Sequence, residues 1–177
     1  MILCKMYRCA RSKLSAMVAL LLLLTSTLLA ADNAPQVTLD AGKANPRSVE
    51  SLTQRALIRD YKFAWGNIDS ALASNSAGPL NGLFAGTAND WLKGLVNSQQ
   101  QSGVTSRYIN QNHKLEAVFY APAGDVIELH DIAEYDLEIH DGGKTIHSEH
   151  AIVHYIVLMT PAADRWVIRQ LQAVREF

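Results

Sequence analysis

Apolar residues recur with two different periods along this chain. In the first half, they recur at roughly helical spacing through residues 49–68, and shorter apolar faces follow near residues 80–85 and 88–101. We therefore predict a long helix with Asn45-Pro46 as its N-cap and first residue, ending near Gly66, and then two short helices.

From residue 108 onward, the pattern is typical of β-strands. Runs rich in branched and aromatic residues are separated by turn sequences such as Gly142-Gly143. The four runs lie at about 108–120, 126–140, 145–160 and 165–175. Helices followed by a meander of strands predict an α+β fold, in which the N-terminal helices pack on a curved four-stranded antiparallel sheet.

The N-terminus has a third pattern. Residues 1–13 contain four bases and residues 14–31 are apolar and uncharged, the layout of an export signal. A retained membrane anchor is the alternative, because the cleavage site lacks a small residue at the −3 position, whereas the stretch is near the lower limit for spanning a bilayer. In both cases the later residues cross the membrane. Residues 32–45 are predicted to be a flexible linker, which leaves residues 46–177 as the domain.

Charge and cysteine content exclude several classes of function. The formal net charge is −1, but the first 31 residues hold four of the 16 bases, none of the 17 acids and both cysteines. The remainder therefore carries a charge of −5. An acidic domain argues against nucleic-acid binding, and the absence of cysteine after Cys9 excludes disulfides and thiolate chemistry there.

Several runs in the second half support a resemblance to known proteins. These runs are residues 115–119, the acidic run 128–138, residues 154–158 and Arg165-Trp166-Val167-Ile168. They are similar to the IMS domain of the chloroplast-division ARC6-like proteins, and the order of elements resembles the NTF2-like cone fold. The resemblance implies either a pocket enzyme or a noncatalytic binding or dimerisation module, and fold alone does not choose between them.

The predicted hairpin at Gly142-Gly143 brings the histidines opposite carboxylate and phenol groups. If Asp141 pairs with Lys144, stepping along both strands places Asp131 opposite His154 and Tyr135 opposite His150. The same register places Asp136 opposite Glu149, an unfavourable pair of like charges that either weakens this register or indicates a cation or a basic partner.

Two interpretations of the Asp131 and His154 pair are open. In a dry cone it could serve as a catalytic acid and base, with Tyr135 and His150 as further donors. Alternatively, the two groups simply satisfy each other, because neither can be buried unpaired. Tyr61 and Trp65 on the first helix are candidates to line a pocket, although aromatics at helical spacing are usually core residues.

The opposite face of the second strand is acidic. It carries Glu128, His130, Glu134, Asp136, Glu138 and His140, which suits a solvated surface or a docking surface for a partner.

Three of the six histidines, His147, His150 and His154, would share one face of a helix and could then bind a metal ion, but their branched neighbours favour a strand. We therefore predict no metal site and no cofactor.

These observations predict an exported noncatalytic binding or assembly module of the cell envelope, periplasmic or secreted, or else anchored in the inner membrane. A protein partner or self-association through the sheet is expected, a small apolar ligand is possible, and the only expected membrane contact is through residues 14–31. The alternative is a small pocket enzyme, of isomerase, lyase or hydrolase type, that uses Asp131 and His154. A cavity that reaches these two residues would favour the enzyme.

Overall fold

The computed structural model describes residues 34–177. The predicted signal or anchor therefore lies outside the described residues. Two helices, α1 (Ser51–Ala73) and α2 (Gly86–Ser102), pack on one face of a six-stranded sheet. The α+β class is confirmed. Neither helix in this part of the chain is both long and apolar enough to cross a membrane.

The sheet contains the four predicted strands and two more. Their bounds are β1 (Gln36–Asp40), β2 (Asn45–Pro46), β3 (Val104–Tyr120), β4 (Ile127–Asp141), β5 (Lys144–Pro161) and β6 (Trp166–Val174). The order is β1-β3-β4-β5-β6, with β2 also paired to β3. Strands β3 to β6 are antiparallel neighbours, whereas β1 and β2 run parallel to β3, so the sheet is open and mixed rather than four-stranded and antiparallel.

The linker prediction is wrong for residues 36–46. β1 pairs with β3 from Asn112 to Glu116, and Val37 and Leu39 pack against the core from the same face as Leu115. β1 does alternate polar and apolar residues, but over only five positions, Gln36–Asp40, and it forms a strand because β3 offers it backbone partners. This segment is therefore part of the folded domain.

The helix bounds also differ from the prediction. Asn45-Pro46 belongs to β2, and α1 begins later, at Ser51, after Glu50 as the extended N-cap. Gly66 does not end the helix, because Ile68, Ala71 and Leu72 continue the buried stripe and tertiary packing outweighs one glycine.

The short helix predicted at residues 80–85 is absent. A 3₁₀ turn at Gly78–Leu80 takes its place, and the chain then extends along β6. The amide of Ile168 donates to the carbonyl of Leu83 at 3.0 Å, and the amide of Ala85 donates to the carbonyl of Ile168 at 2.9 Å. α2 ends at Gly103, whose φ of 72° is the left-handed conformation that glycine adopts without strain.

The predicted hairpin register holds only at the turn. Gly142 and Gly143 have φ values of 54° and 83°, as a two-residue hairpin turn requires, and Asp141 pairs with Lys144. His140 then pairs with Thr145 but Ile139 pairs with His147, so Ile146 has no partner on β4. This β-bulge shifts all later pairs by one residue and reverses which face of β5 each side chain occupies relative to the prediction.

Candidate functional site

The bulge separates the two residues predicted to form a catalytic pair. Asp131 lies opposite Tyr155 and faces the helices, whereas His154 lies opposite Ile132 on the other face of the sheet. The imidazole of His154 is instead 3.0 Å from the carbonyl oxygen of Arg175, through Nδ1, and its ring lies 5.0 Å from that of Phe177. The predicted Asp131 and His154 pair is therefore wrong.

Asp131 has two other partners on the inner face. Tyr61 of α1 donates its hydroxyl to Oδ2 at 2.7 Å, and Nδ1 of His113 on β3 lies 2.8 Å from the same oxygen. Asp131 and His113 are both 0% exposed, and so is Tyr61. The buried aspartate thus links a helix to two neighbouring strands through Oδ2. Within the part of the chain that the structure describes, its Oδ1 and Nε2 of His113 have no hydrogen-bond partner.

His113 is the member of this network that the sequence prediction missed. A signal was present, because His113 alternates with Leu115 and Ala117 along β3, which places a polar side chain on the buried face, where Gln111 also lies. Asp131 stands out on β4 for the same reason. Polar residues on the buried faces of adjacent strands are candidates to pair with each other.

Aromatic rings fill the space around this network. The indole of Trp65 lies 4.4 Å from the ring of His113, and Tyr155 and Tyr135 lie 5.6 and 6.2 Å away. Tyr108 packs against Tyr135 at 4.7 Å, and the hydroxyls of Tyr135 and Tyr155 are 3.3 Å apart. Tyr61 and Trp65 thus belong to the core, and Tyr135 is buried with them.

Burial keeps these phenols protonated. Desolvation raises the pKa of Tyr61 well above its ordinary value, and the charge of Asp131 raises it further. Desolvation likewise raises the pKa of Tyr108, Tyr135 and Tyr155. At neutral pH each of these phenols is protonated, and none of them is an available base.

Two surface grooves lie away from this network. A groove of about 410 Å³ lies between α2 and the edge of β6, beside Trp91 and Leu171. The other, of about 440 Å³, lies beside Ile132 and Phe177. The residues that line these two grooves include neither Asp131 nor His113.

The outer face of the sheet is polar, with exposed apolar side chains among its charges. Glu128, Glu134, Asp136 and Glu138 lie on this face of β4, as predicted, and histidines lie between and beside them. Phe177 folds back onto the face and stacks on His130, with ring centres 4.2 Å apart. Ile132 and Ile152 remain 39% and 62% exposed.

The bulge also removes the predicted repulsion on this face. Asp136 lies opposite His150 rather than Glu149, and Nδ1 of His150 is 2.8 Å from Oδ1 of Asp136. His150 therefore lies on the solvent side and does not join Tyr135, which pairs with Ala151. Among residues 34–177, no group of three histidine, cysteine or acidic side chains is arranged to hold a metal ion.

His150 is expected to titrate above its ordinary pKa of 6.5, chiefly because Asp136 accepts a hydrogen bond from its ring. A raised pKa in the folded state means that this contact stabilises fully below about pH 6.5 and is lost as the pH rises through the raised value. An NMR titration of the His150 ring protons measures this pKa. Asp136→Asn should bring the pKa back towards 6.5, and Asp125→Asn, in an exposed turn, should not. An unshifted His150 in the unmodified protein would contradict the contact.

The fold has a likeness among solved structures. The chain is similar to the intermembrane space region of the chloroplast protein ARC6, with a TM-score of 0.54 and 10% identity over 68% of this chain and 95% of that one. A designed β-sheet protein aligns with a TM-score of 0.37 and 14% identity over 68% of this chain and 88% of that one. No protein-family model matches the sequence, and no curated protein matches it. The expected resemblance to the ARC6 IMS domain is thus confirmed as a likeness of fold.

Proposed function

We propose that this protein is an exported, noncatalytic binding or assembly module of the cell envelope, and that its outer sheet face binds a protein partner. The observation that carries the proposal is the contrast between the two faces of the sheet. The inner face is packed with aromatic side chains around a paired aspartate, whereas the outer face exposes Ile132 and Ile152 beside a row of acids. Exposed apolar side chains rimmed by charge are typical of protein interaction surfaces.

The exposed apolar side chains are close enough to act together. Ile132 pairs with His154 and Ile152 pairs with Glu134, so the two isoleucines are diagonal neighbours on one face. Phe177 stacks on His130, which lies two positions before Ile132 on the same face of β4. We call Ile132, Ile152 and Phe177 the outer patch. It adjoins the groove of about 440 Å³, which offers an additional recess for a partner's side chain.

The pocket-enzyme alternative has less support. Catalysis by Asp131 and His154 needs both groups at one reacting centre, but they lie on opposite faces of the sheet. Asp131 and its partner His113 are fully buried, so a substrate would reach them only after the core opened. A small apolar ligand has less support for the same reason, since aromatic rings occupy the interior.

The envelope location is part of the proposal. It is supported by the basic and then apolar layout of residues 1–31, and by the likeness of fold to the intermembrane space region of ARC6. We propose that the domain is periplasmic or secreted, or is held at the inner membrane if the apolar stretch is retained. We also propose that the domain is a member of the NTF2-like cone family.

Site-specific photocrosslinking in cells tests the proposed surface. Ile152→p-benzoylphenylalanine in the full chain should give a discrete crosslinked adduct, because this side chain lies in the outer patch. Asn97→p-benzoylphenylalanine, at an exposed position on α2, is the matched control and should give none. Adding Ile132→Asp should weaken the adduct at position 152. An adduct of twice the chain mass would identify the partner as a second copy.

A further inference from the structure

The exposed face of α1 is basic, whereas the opposite side of the domain is acidic. Arg55, Arg59 and Lys62 follow one another at i, i+4 and i+7, and all three are exposed. Leu52 and Phe63 are 74% and 54% exposed on the same side of the helix. They are separated by about three helical turns, so they lie along one line, about 16 Å apart.

The acids of α1 neutralise this face only in part, because Asp60 pairs with Arg59 through both carboxylate oxygens, at 2.7 and 3.1 Å. Asp60 is buried and its Oδ2 accepts a hydrogen bond from the amide of Trp166 at 2.7 Å. Asp69 accepts a hydrogen bond from the amide of Tyr108 at 2.8 Å. Both acids therefore point towards the sheet. Arg59 is within 2.7 Å of Asp60, yet its side chain remains 63% exposed.

We propose that this face of α1, defined by Leu52, Arg55, Arg59, Lys62 and Phe63, docks on a membrane surface that carries anionic lipid headgroups. A straight row of two large apolar side chains flanked by cations is convex and suits a plane rather than a pocket. The apolar side chains enter the headgroup region and the cations remain among the phosphates. The two described grooves lie elsewhere, beside β6 and on the outer sheet face.

The charge distribution gives this docking one orientation. The carboxylates of β4 lie on the outer face of the sheet, away from the helices, so an anionic surface attracts α1 and repels the opposite side. Each free cation near an anionic membrane contributes about fivefold in affinity, so Arg55 and Lys62 make the docking dependent on salt, and Arg59, which Asp60 partly neutralises, contributes less. The outer patch of the proposed function then points away from the bilayer and stays available to a partner.

The point at which the chain enters the domain supports the same surface. Pro35 lies close to Gly66 of α1, since a Cβ built at Gly66 would be 3.9 Å from the ring of Pro35. The uncharged apolar stretch ends at Ala31, four positions before Pro35. Four residues span at most about 14 Å, so an apolar stretch retained in a bilayer would keep α1 near the headgroups. This inference goes beyond the proposed function and rests on the arm of it in which residues 14–31 are retained in the membrane.

Chemical labelling in reconstituted vesicles tests the inference. The full chain, with Cys4→Ser and Cys9→Ser, carries either Ser70→Cys, in line with Leu52 and Phe63 on α1, or Ser148→Cys, on the outer sheet face. Vesicles contain phosphatidylcholine alone or phosphatidylcholine with phosphatidylglycerol. A bulky, membrane-impermeant maleimide should label position 70 about fivefold or more slowly in the anionic vesicles, and position 148 equally in both.

Charge variants identify the cause of any protection. Arg55→Gln/Arg59→Gln/Lys62→Gln should restore rapid labelling, and so should salt of about 0.5 M, where the Debye length falls to about 4 Å. Arg55→Gln/Lys62→Gln, which keeps the contact between Arg59 and Asp60, should restore most of the rapid labelling. Lys93→Gln/Lys114→Gln/Lys144→Gln removes the same charge from other surfaces and should leave the protection unchanged.

Two results would overturn the inference. Position 70 could be labelled equally fast in neutral and anionic vesicles, which would mean that α1 does not meet the headgroups. Alternatively, the protection could disappear when the protein is diluted tenfold at constant lipid concentration, which would identify a contact between protein molecules instead. Neither result bears on crosslinking at Ile152, so the failure of this inference is distinguishable from the failure of the proposed function.

Discussion

Replacing Asp131 with alanine is expected to lower the free energy of unfolding by about 3 to 5 kcal/mol. The carboxylate is fully buried and is the partner of both the Tyr61 hydroxyl and the His113 ring. Its removal leaves these two polar groups without that partner inside the core. Urea unfolding of the purified protein measures the loss as a lower midpoint with an unchanged slope.

Matched variants distinguish this network from surface charge pairs. Asp136→Ala removes an acid of the same strand that faces solvent, and should cost no more than about 1 kcal/mol. In a double-mutant cycle, the effects of Asp131→Ala and His113→Leu should not add, because each removes the partner of the other. A stability of Asp131→Ala equal to that of the unmodified protein would contradict a structural role.

Replacing Trp65 with alanine is expected to cost about 3 to 5 kcal/mol. Its side chain is 1% exposed and lies in contact with the ring of His113 and beside the phenol rings of Tyr108 and Tyr155. Loss of the indole leaves a cavity that these rigid rings fill only partly. Urea unfolding measures the change, and Trp65→Phe should recover part of the stability.

Trp91 provides the control for this substitution. It is 44% exposed on α2, so Trp91→Ala removes the same side chain with little burial and should cost less than about 1 kcal/mol. Similar losses at the two positions would mean that Trp65 lines an open pocket rather than a packed core. The comparison therefore tests the filled interior on which the noncatalytic interpretation rests.

The fold class could be predicted because its signals are local. Branched and aromatic runs marked β3 to β6 to within a few residues, and helical periodicity marked α1 and α2. β1 and β2 could not be predicted in the same way, because their short, mixed sequences form strands only where β3 supplies hydrogen bonds. Similarly, α1 passes through Gly66 because Ile68 and Leu72 find a core to pack against.

The predicted candidate site was wrong because the register between β4 and β5 differs by one residue from the prediction. The bulge at Ile146 has no marker in the sequence, yet it moves His154 to the outer face and brings Tyr155 opposite Asp131. The predicted opposition of Asp136 and Glu149 was the available warning, since the true partner of Asp136 is His150. The pairing of His113 with Asp131 could have been proposed from polar residues on the buried faces of adjacent strands.

Crosslinking from the two faces of the protein is the most direct test of the proposed function. The measurement compares adducts formed by p-benzoylphenylalanine at position 152, in the outer patch, and at position 97, on α2. The proposal predicts a discrete adduct from position 152 that Ile132→Asp weakens, and none from position 97. An adduct from position 97 with none from position 152 would contradict it.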